Sequence, residues 1–165
     1  MLFHLRHFQP ADFTTLWRID QECFTPGISY SREELNYYIH RAGSFTLVAE
    51  ADSNDGEKDS DGPDRIIGFV VAESAKGIGH IITIDVRAQV RRFGVGSALM
   101  DEAERLLRDS QCRRIYLETA VDNTGALAFY KRRGYELVKT RRRYYSNGVD
   151  ALVLRKSVAS RDTSA

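Results

Sequence analysis

The 165 residues point to a single domain, with 42% hydrophobic side chains to build its core. No apolar run approaches the ~20 residues that cross a membrane, and Cys23 and Cys112 have neither metal nor redox spacing, so a membrane-spanning protein, a disulfide scaffold and a metal module are all set aside. Net charge is only +1, but residues 1–76 sum to −6 and residues 77–165 to +7.

The N-terminal stretch lacks the apolar core of a signal peptide. Two scattered cysteines then suggest free thiols in a reducing cytoplasm. Residues 2–8 alternate as a strand. Residues 11–23 form a helix on the register of Phe13, Leu16, Trp17, Ile19, Asp20 and Cys23. A turn follows over Phe24-Thr25-Pro26-Gly27-Ile28-Ser29-Tyr30. Ser31 and Glu34 make a capping box for a second helix to about His40. Residues 45–50 are a strand. Residues 52–64 contain no apolar side chain and are expected to be a mobile acidic loop. They fail the calcium template, because its sixth position is Glu57 and not glycine. Strands follow at 65–74 and 79–86, a helix at 95–109 and a strand at 113–121. Asn123 opens a helix to about Arg133, ended by Gly134. Strands at 135–145 and 150–156 are joined as a hairpin around Ser146-Asn147-Gly148. The domain should end near 157, with a frayed tail at 158–165. The order βααβββαβαββ is a mixed α/β sandwich, and the crossover 80–121 makes its two strands parallel.

Between that crossover's first strand and its helix lies Arg91-Arg92-Phe93-Gly94-Val95-Gly96-Ser97. Two glycines let backbone approach a ligand. The free N–H groups and positive pole of the helix favour an anion. The stretch reads as a cradle for a phosphorylated cofactor. A Walker loop would need lysine after the second glycine, where Ser97 stands. A dinucleotide fingerprint needs a third glycine, where Leu99 stands. The pattern Arg91-x-x-Gly94-x-Gly96 resembles the acyl-CoA loop of the GNAT acetyltransferases. Asn123-Thr124-Gly125-Ala126-Leu127-Ala128-Phe129-Tyr130, continuing to Gly134-Tyr135, resembles that family's second cofactor segment. The resemblance covers about residues 2–156. It is nearest to the protein N-terminal α-amino acetyltransferases, including those acting on ribosomal-protein alanine. Three stretches carry this: Phe24–Tyr30, Tyr116-Leu117-Glu118, and Arg143-Tyr144-Tyr145-Ser146-Asn147-Gly148-Val149-Asp150-Ala151. An inserted Thr25 and a missing tryptophan after Pro26 depart from the bacterial pattern, and bear on which first residue fits.

The resemblance implies a GNAT fold with splayed parallel strands, acetyl-CoA as cosubstrate and no metal. The acceptor would be a protein or peptide N-terminus, with a ribosomal protein as one candidate, and the enzyme a monomer or homodimer. Residues 91–97 and Asn123 would hold the cofactor, with backbone groups of Ile84, Asp85 and Val86 along its pantetheine arm. Glu118, which interrupts an apolar strand, would be the base; partial burial would raise its pKa toward the working pH. An ordinary outward polar residue is the alternative. Tyr130 would donate to the departing sulfur or simply pack in the core. His80 shares a predicted face with Ile82, Ile84 and Val86 and would assist the acceptor, or serve as a structural histidine. Asn123 also caps its helix. Phe24, Pro26, Ile28, Tyr30, Tyr144 and Tyr145 would form the acceptor groove, though each alone reads equally as packing. Cys112 lies outside the cleft, so attack by the amine in a ternary complex is expected, with no acetyl-enzyme. Arg141-Arg142-Arg143 and Lys131-Arg132-Arg133 read as solvated surface or groove rim; no nucleic acid is expected. Transfer to a small amine or a lysine, and a non-catalytic acyl-CoA-binding module, are the two other readings.

Overall fold

The run Phe45-Thr46-Leu47-Val48-Ala49 is apolar on both sides, as a strand must be when helices cover both faces of its sheet. A computed structural model describes residues 1–53 and 65–158. Its elements are β1 (Phe3–His7), α1 (Phe13–Cys23), α2 (Arg32–His40), β2 (Ser44–Ala51), β3 (Ile66–Ala75), β4 (Ile78–Val86), α3 (Val95–Asp109), β5 (Arg114–Ala120), α4 (Thr124–Arg132), β6 (Glu136–Arg141) and β7 (Ala151–Ser157). This is the expected order. One mixed sheet runs β1-β2-β3-β4-β5-β7-β6. β4 and β5 are parallel and the other neighbours antiparallel. No helix of the described residues is long and apolar enough to cross a membrane.

Two cores result, one per face. Leu47, Ala49, Val70, Ile81 and Leu117 pack with Val95, Leu99, Met100, Ala103 and Leu107 of α3 and with Tyr130 of α4. Val48, Phe69 and Val71 pack with Leu16 and Ile19 of α1 and Leu35 and Ile39 of α2. The positions on α3 recur every three or four residues, which puts them on one stripe.

The sheet is regular except where it matters for function. Ala72 pairs with Ile81 but Val71 pairs with Thr83, so β4 carries Ile82 as an extra residue. Such a bulge bends its strand and flips the alternation beyond it. His80 and Ile82 therefore face α1 and α2, whereas Ile84 and Val86 face α3. The single shared face expected for these four residues is wrong for this reason. The β4–β5 pairing ends with Ile81↔Leu117, so Ile82–Val86 and Glu118–Ala120 part.

Several boundaries differ from expectation. The first helix starts at Phe13, behind a 3-10 turn at Pro10–Asp12. β6 stops at Arg141, which puts Tyr144 and Tyr145 in a loop over 142–150 and not in a strand. Ser157 remains in β7, and Val158 is buried with its N–H bonded to the Arg113 carbonyl, so the chain is not yet a tail there. Most of the acidic loop expected at 52–64, and residues 159–165, lie outside the described residues.

Loop 142–150 reaches across to the α1–α2 loop. The Ser146 N–H and hydroxyl both donate to the Gly27 carbonyl, at 3.2 and 3.0 Å. Gly27 has φ +91°, and a Cβ there would lie 2.6 Å from Asn147 Cβ. Gly27→Ala should therefore cost about 1–3 kcal/mol through a strained left-handed residue and lost docking. Urea unfolding would show this as a lowered midpoint; an unchanged midpoint would mean the two loops do not depend on each other.

Candidate active site

The gap between β4 and β5 opens toward both faces of the sheet, and the predicted site residues divide between them. On the α3 side, Gly94 takes the N-cap of a fifteen-residue helix with φ +83° and no side-chain cap. At this end the Ala98 N–H donates to the Gly94 carbonyl at 3.0 Å. The N–H groups of Val95, Gly96 and Ser97 thus point out of the helix end at its positive pole. A Cβ at Gly94 would meet nothing within 4 Å, so space is open there. Arg91, Arg92 and Phe93 are exposed beside it. Arg91 Nε donates to the Val86 carbonyl at 3.2 Å, which ties the cradle to the end of β4. These donors and cations fit the phosphates of a CoA thioester.

Asn123 Oδ1 accepts from the Ala126 N–H at 3.1 Å and caps α4. Among the described residues its amide N–H₂ has no acceptor. Seven residues on, Tyr130 is 8% exposed and packs edge-on to Phe129 and Tyr135. Among the described residues its hydroxyl has no protein hydrogen-bond partner. Burial, with the nearby Asp85 charge second, pushes its pKa above the usual phenol range.

On the other side, His80 Nε2 lies 2.6 Å from Glu118 Oε2. These two residues sit where the parallel pairing stops. His80 Nδ1 is 3.7 Å from Glu73 Oε1, and Glu73 in turn is 3.4 Å from Arg41 Nε. Desolvation is the largest single influence on the His80 pKa and lowers it, but the hydrogen bonds and charges of Glu118 and Glu73 together outweigh it, and the net direction is upward. A raised histidine pKa favours the imidazolium.

The residues expected to line an acceptor groove lie on two loops, and of these Tyr144 and Tyr145 feel the charge of Glu118. Tyr30 is fixed at both ends: its N–H donates to Asp20 Oδ2 at 2.7 Å, and its carbonyl accepts from Trp17 Nε1 and Gln21 Nε2. Its hydroxyl donates to the Ile82 carbonyl at 3.2 Å, on the unpaired stretch of β4. Tyr144 and Tyr145 stack edge-on, and each feels the Glu118 charge. Tyr144 is 46% exposed. Phe24 and Ile28 are half-buried and Pro26 exposed, in the loop that carries Gly27.

Sequence reasoning passed over Glu73, Asp20 and Cys23. Glu73 was accessible in principle. A two-residue turn at Lys76-Gly77, both with positive φ, sets the register that places Glu73 opposite His80. Asp20 and Cys23 come close to β4 only through the docking of α1, which leaves no local signal. The Cys23 thiol donates to the Val86 carbonyl at 3.4 Å, and burial pushes its pKa up to about 11. It is therefore a neutral thiol and a poor nucleophile. Asp85 was expected among the cofactor residues through its backbone, but its side chain is buried on the α1 face. Arg133 is not a solvated surface charge: it pairs with Asp101 at 2.6 Å and approaches Glu104 at 3.5 Å.

The chain matches the acetyltransferase (GNAT) family over residues 13–135. It is 30% identical over 154 residues to an uncharacterized N-acetyltransferase of Methanocaldococcus jannaschii, covering 92% of this chain and 90% of that one. It is 30% identical over 127 residues to N-alpha-acetyltransferase 30 of Schizosaccharomyces pombe, covering 74% and 77%. The crystal structure of Ard1 from Thermoplasma volcanium superimposes with a TM-score of 0.82 at 26% identity, over 96% of this chain and 99% of that one. With its splayed β4–β5 gap and glycine-marked helix end, the chain belongs to the GNAT family and is an acetyl-CoA-dependent N-acetyltransferase.

Proposed function

We propose that the acceptor is the N-terminal α-amine of a protein or peptide, a ribosomal protein being one example, and that the amine attacks the thioester directly in a ternary complex. The observation that carries this reading is the His80–Glu118 pair at the open end of the β4–β5 pairing, beneath two loops hydrogen-bonded to each other. The name of the relative from Schizosaccharomyces pombe, N-alpha-acetyltransferase 30, supports it. Two free cysteines suit a cytoplasmic setting.

Acetyl-CoA supplies an acyl group on a thiolate leaving group. Residues 91–97 and Asn123 hold it, with the β5-facing edge of Ile84–Val86 alongside. An α-amine has a pKa near 8 and a lysine near 10.4, so at pH 7 roughly a tenth of the former is neutral and about one part in 2,500 of the latter. An α-amine therefore demands less of a base. His80, biased toward the imidazolium, is a poor proton acceptor. The accepting role falls to Glu118, with His80 holding its carboxylate in place. Proton transfer from a phenol of pKa ~10 to a thiolate of pKa ~8.5 is uphill by roughly 2 kcal/mol. The upward direction at Tyr130 makes it a still weaker acid, so it serves as a hydrogen-bond donor to the sulfur. Tyr30, Tyr144 and Tyr145, with Phe24, Pro26 and Ile28, form the wall against which the first residue lies.

Glu118→Gln should fold and lose ~10²–10⁴ in turnover. His80→Gln should lose less; an equal loss in a folded protein would exchange the two roles. Tyr130→Phe should slow transfer without altering the fold, and unchanged kinetics would return Tyr130 to the core.

The His80–Glu118 pair also gives a stability signature. The His80 pKa is raised on folding, so its contribution is full below the unfolded histidine pKa and is lost as pH rises through the folded value. Wild type should lose stability relative to His80→Gln across that window in thermal melts. Parallel curves would deny the pair.

The acceptor class is tested by CoA release with paired peptides. One set has a free N-terminus and no lysine; the other has a blocked N-terminus and one lysine. Turnover confined to the first is expected, and turnover confined to the second would overturn the α-amine reading.

A further inference from the structure

The buried carboxyl groups of Asp20 and Asp85 take no part in the chemistry above. Asp20 lies on α1 and is 0% exposed; Asp85 lies on β4 and is 1% exposed. Each has one conventional donor. Asp20 Oδ2 accepts the Tyr30 N–H at 2.7 Å, and Asp85 Oδ1 accepts the Thr83 hydroxyl at 2.5 Å. The remaining oxygens, Asp20 Oδ1 and Asp85 Oδ2, are buried without a partner. Cys23, three residues on from Asp20 along α1, donates its thiol to the carbonyl of Val86, the residue after Asp85, at 3.4 Å, and that docking of α1 brings the Asp20 carboxyl against Asp85.

Two buried carboxylates side by side repel, and neither forms an ion pair among the described residues. Arg91 is the cation nearby, and its Nε is bonded to the Val86 carbonyl. A proton held between the two orphan oxygens gives each a partner in a single charge-assisted O–H···O⁻ bond. We propose that Asp20 and Asp85 share one proton, and that this acid pair is the positioning element that sets the acceptor loop against the open edge of β4.

The linkage runs through named bonds. The pair joins α1 to the stretch of β4 beyond the parallel pairing. Asp20 then holds the Tyr30 N–H, and Tyr30 reaches back to the Ile82 carbonyl through its hydroxyl. Loss of the proton would set two charges against each other at this joint, so α1 and its loop would loosen from β4. Burial raises the pKa of both carboxyls, and most strongly that of Asp85. A carboxyl pKa raised on folding means that the joint is intact at low pH and fails as pH rises through the folded value. The other titratable groups facing the pair are Cys23 on α1, Tyr30 on the loop, Glu34 on α2, Tyr130 on α4 and Arg91 after β4.

The second half of the proposal rests on reading the groove as the acceptor site, so its test does not rely on turnover alone. Infrared difference spectra of wild type in heavy water should show a protonated-carboxyl stretch that persists above the ordinary carboxylate range and disappears as pH rises further. That stretch should be missing from both Asp20→Asn and Asp85→Asn, in which a carboxamide N–H stands where the proton was. Trp17 is the only tryptophan, and its indole N–H is bonded to the Tyr30 carbonyl. Its emission should shift with rising pH in wild type and stay constant in Asp85→Asn, which retains Cys23, Tyr30, Glu34, Tyr130 and Arg91. Over the same range the wild-type KM for an acceptor peptide should rise several-fold while that for acetyl-CoA holds. Absence of the stretch, its survival in both variants, or identical Trp17 profiles would overturn the proposal. If stretch and emission behave as stated but no peptide is acetylated, the fault lies with the acceptor reading and not with the shared proton.

Discussion

β4 cannot stay paired with β5 past Ile81, and the site is arranged around that failure. The extra residue Ile82 bends β4 while it continues to pair with β3 as far as Val86. β5 continues along β7 as far as Ala120. Each strand is thus held firmly on its outer side and freed on its inner side. The result is a gap through the middle of a sheet whose two faces are both covered by helices. A thioester and an amine that approach from opposite faces can meet there without either crossing a core. The same bulge turns Ile84 and Val86 toward α3 while leaving His80 toward α1, so one irregularity both opens the gap and divides the residues between its two mouths.

The division is also one of chemistry. The α3 side offers uncapped N–H groups and arginines, which suit an anion, and a phenol held in its neutral form by burial. The α1 side offers carboxylates and an imidazole, which suit an ammonium that must lose a proton. The charge asymmetry in the chain foreshadows this, since the basic half contains the cradle. It does so only coarsely: Glu118 lies in the basic half, whereas Asp20 and Glu73 lie in the acidic one.

The element order and the glycine-marked start of α3 were legible in the sequence because both rest on local signals. Ser31 and Glu34 form the expected capping box, with reciprocal bonds of 3.1 Å. Gly134, at φ +92°, follows α4 as its C-terminal glycine should. What was illegible came from irregularity and from distance. Strict alternation put His80 and Val86 on one face, because nothing in Ile81-Ile82-Thr83 announces which residue is unpaired. The short β6 escaped for a related reason. Arg142 to Asp150 is polar and aromatic in a way that suits a strand, yet the Arg143 N–H bonds to Asp150 Oδ1 and Ser146 bonds to Gly27, so the segment's hydrogen bonds go to a loop and not to a ladder. The residues of β4 that Asp20 and Cys23 meet lie some sixty residues away, and only the packing of α1 on β4 brings them together.

That packing explains why the acceptor side carries so many fixed side chains. Loops are ordinarily the most mobile part of a domain, but a groove that presents an amine at one distance from Glu118, as proposed above, requires fixed ones. Here the first loop is tied at Tyr30 by four hydrogen bonds, two at its carbonyl, one at its N–H and one at its hydroxyl. The second loop is tied to the first at Gly27. The restraint on Tyr144 and Tyr145 is therefore relayed from α1, through Asp20 and the Gly27 carbonyl, rather than supplied by the hairpin that contains them. Ordering paid for at folding is not charged again when the acceptor binds. A glycine with positive φ at position 27 is then as much a part of the groove as the aromatic rings that line it, because it is the one residue whose absent side chain lets the two loops touch.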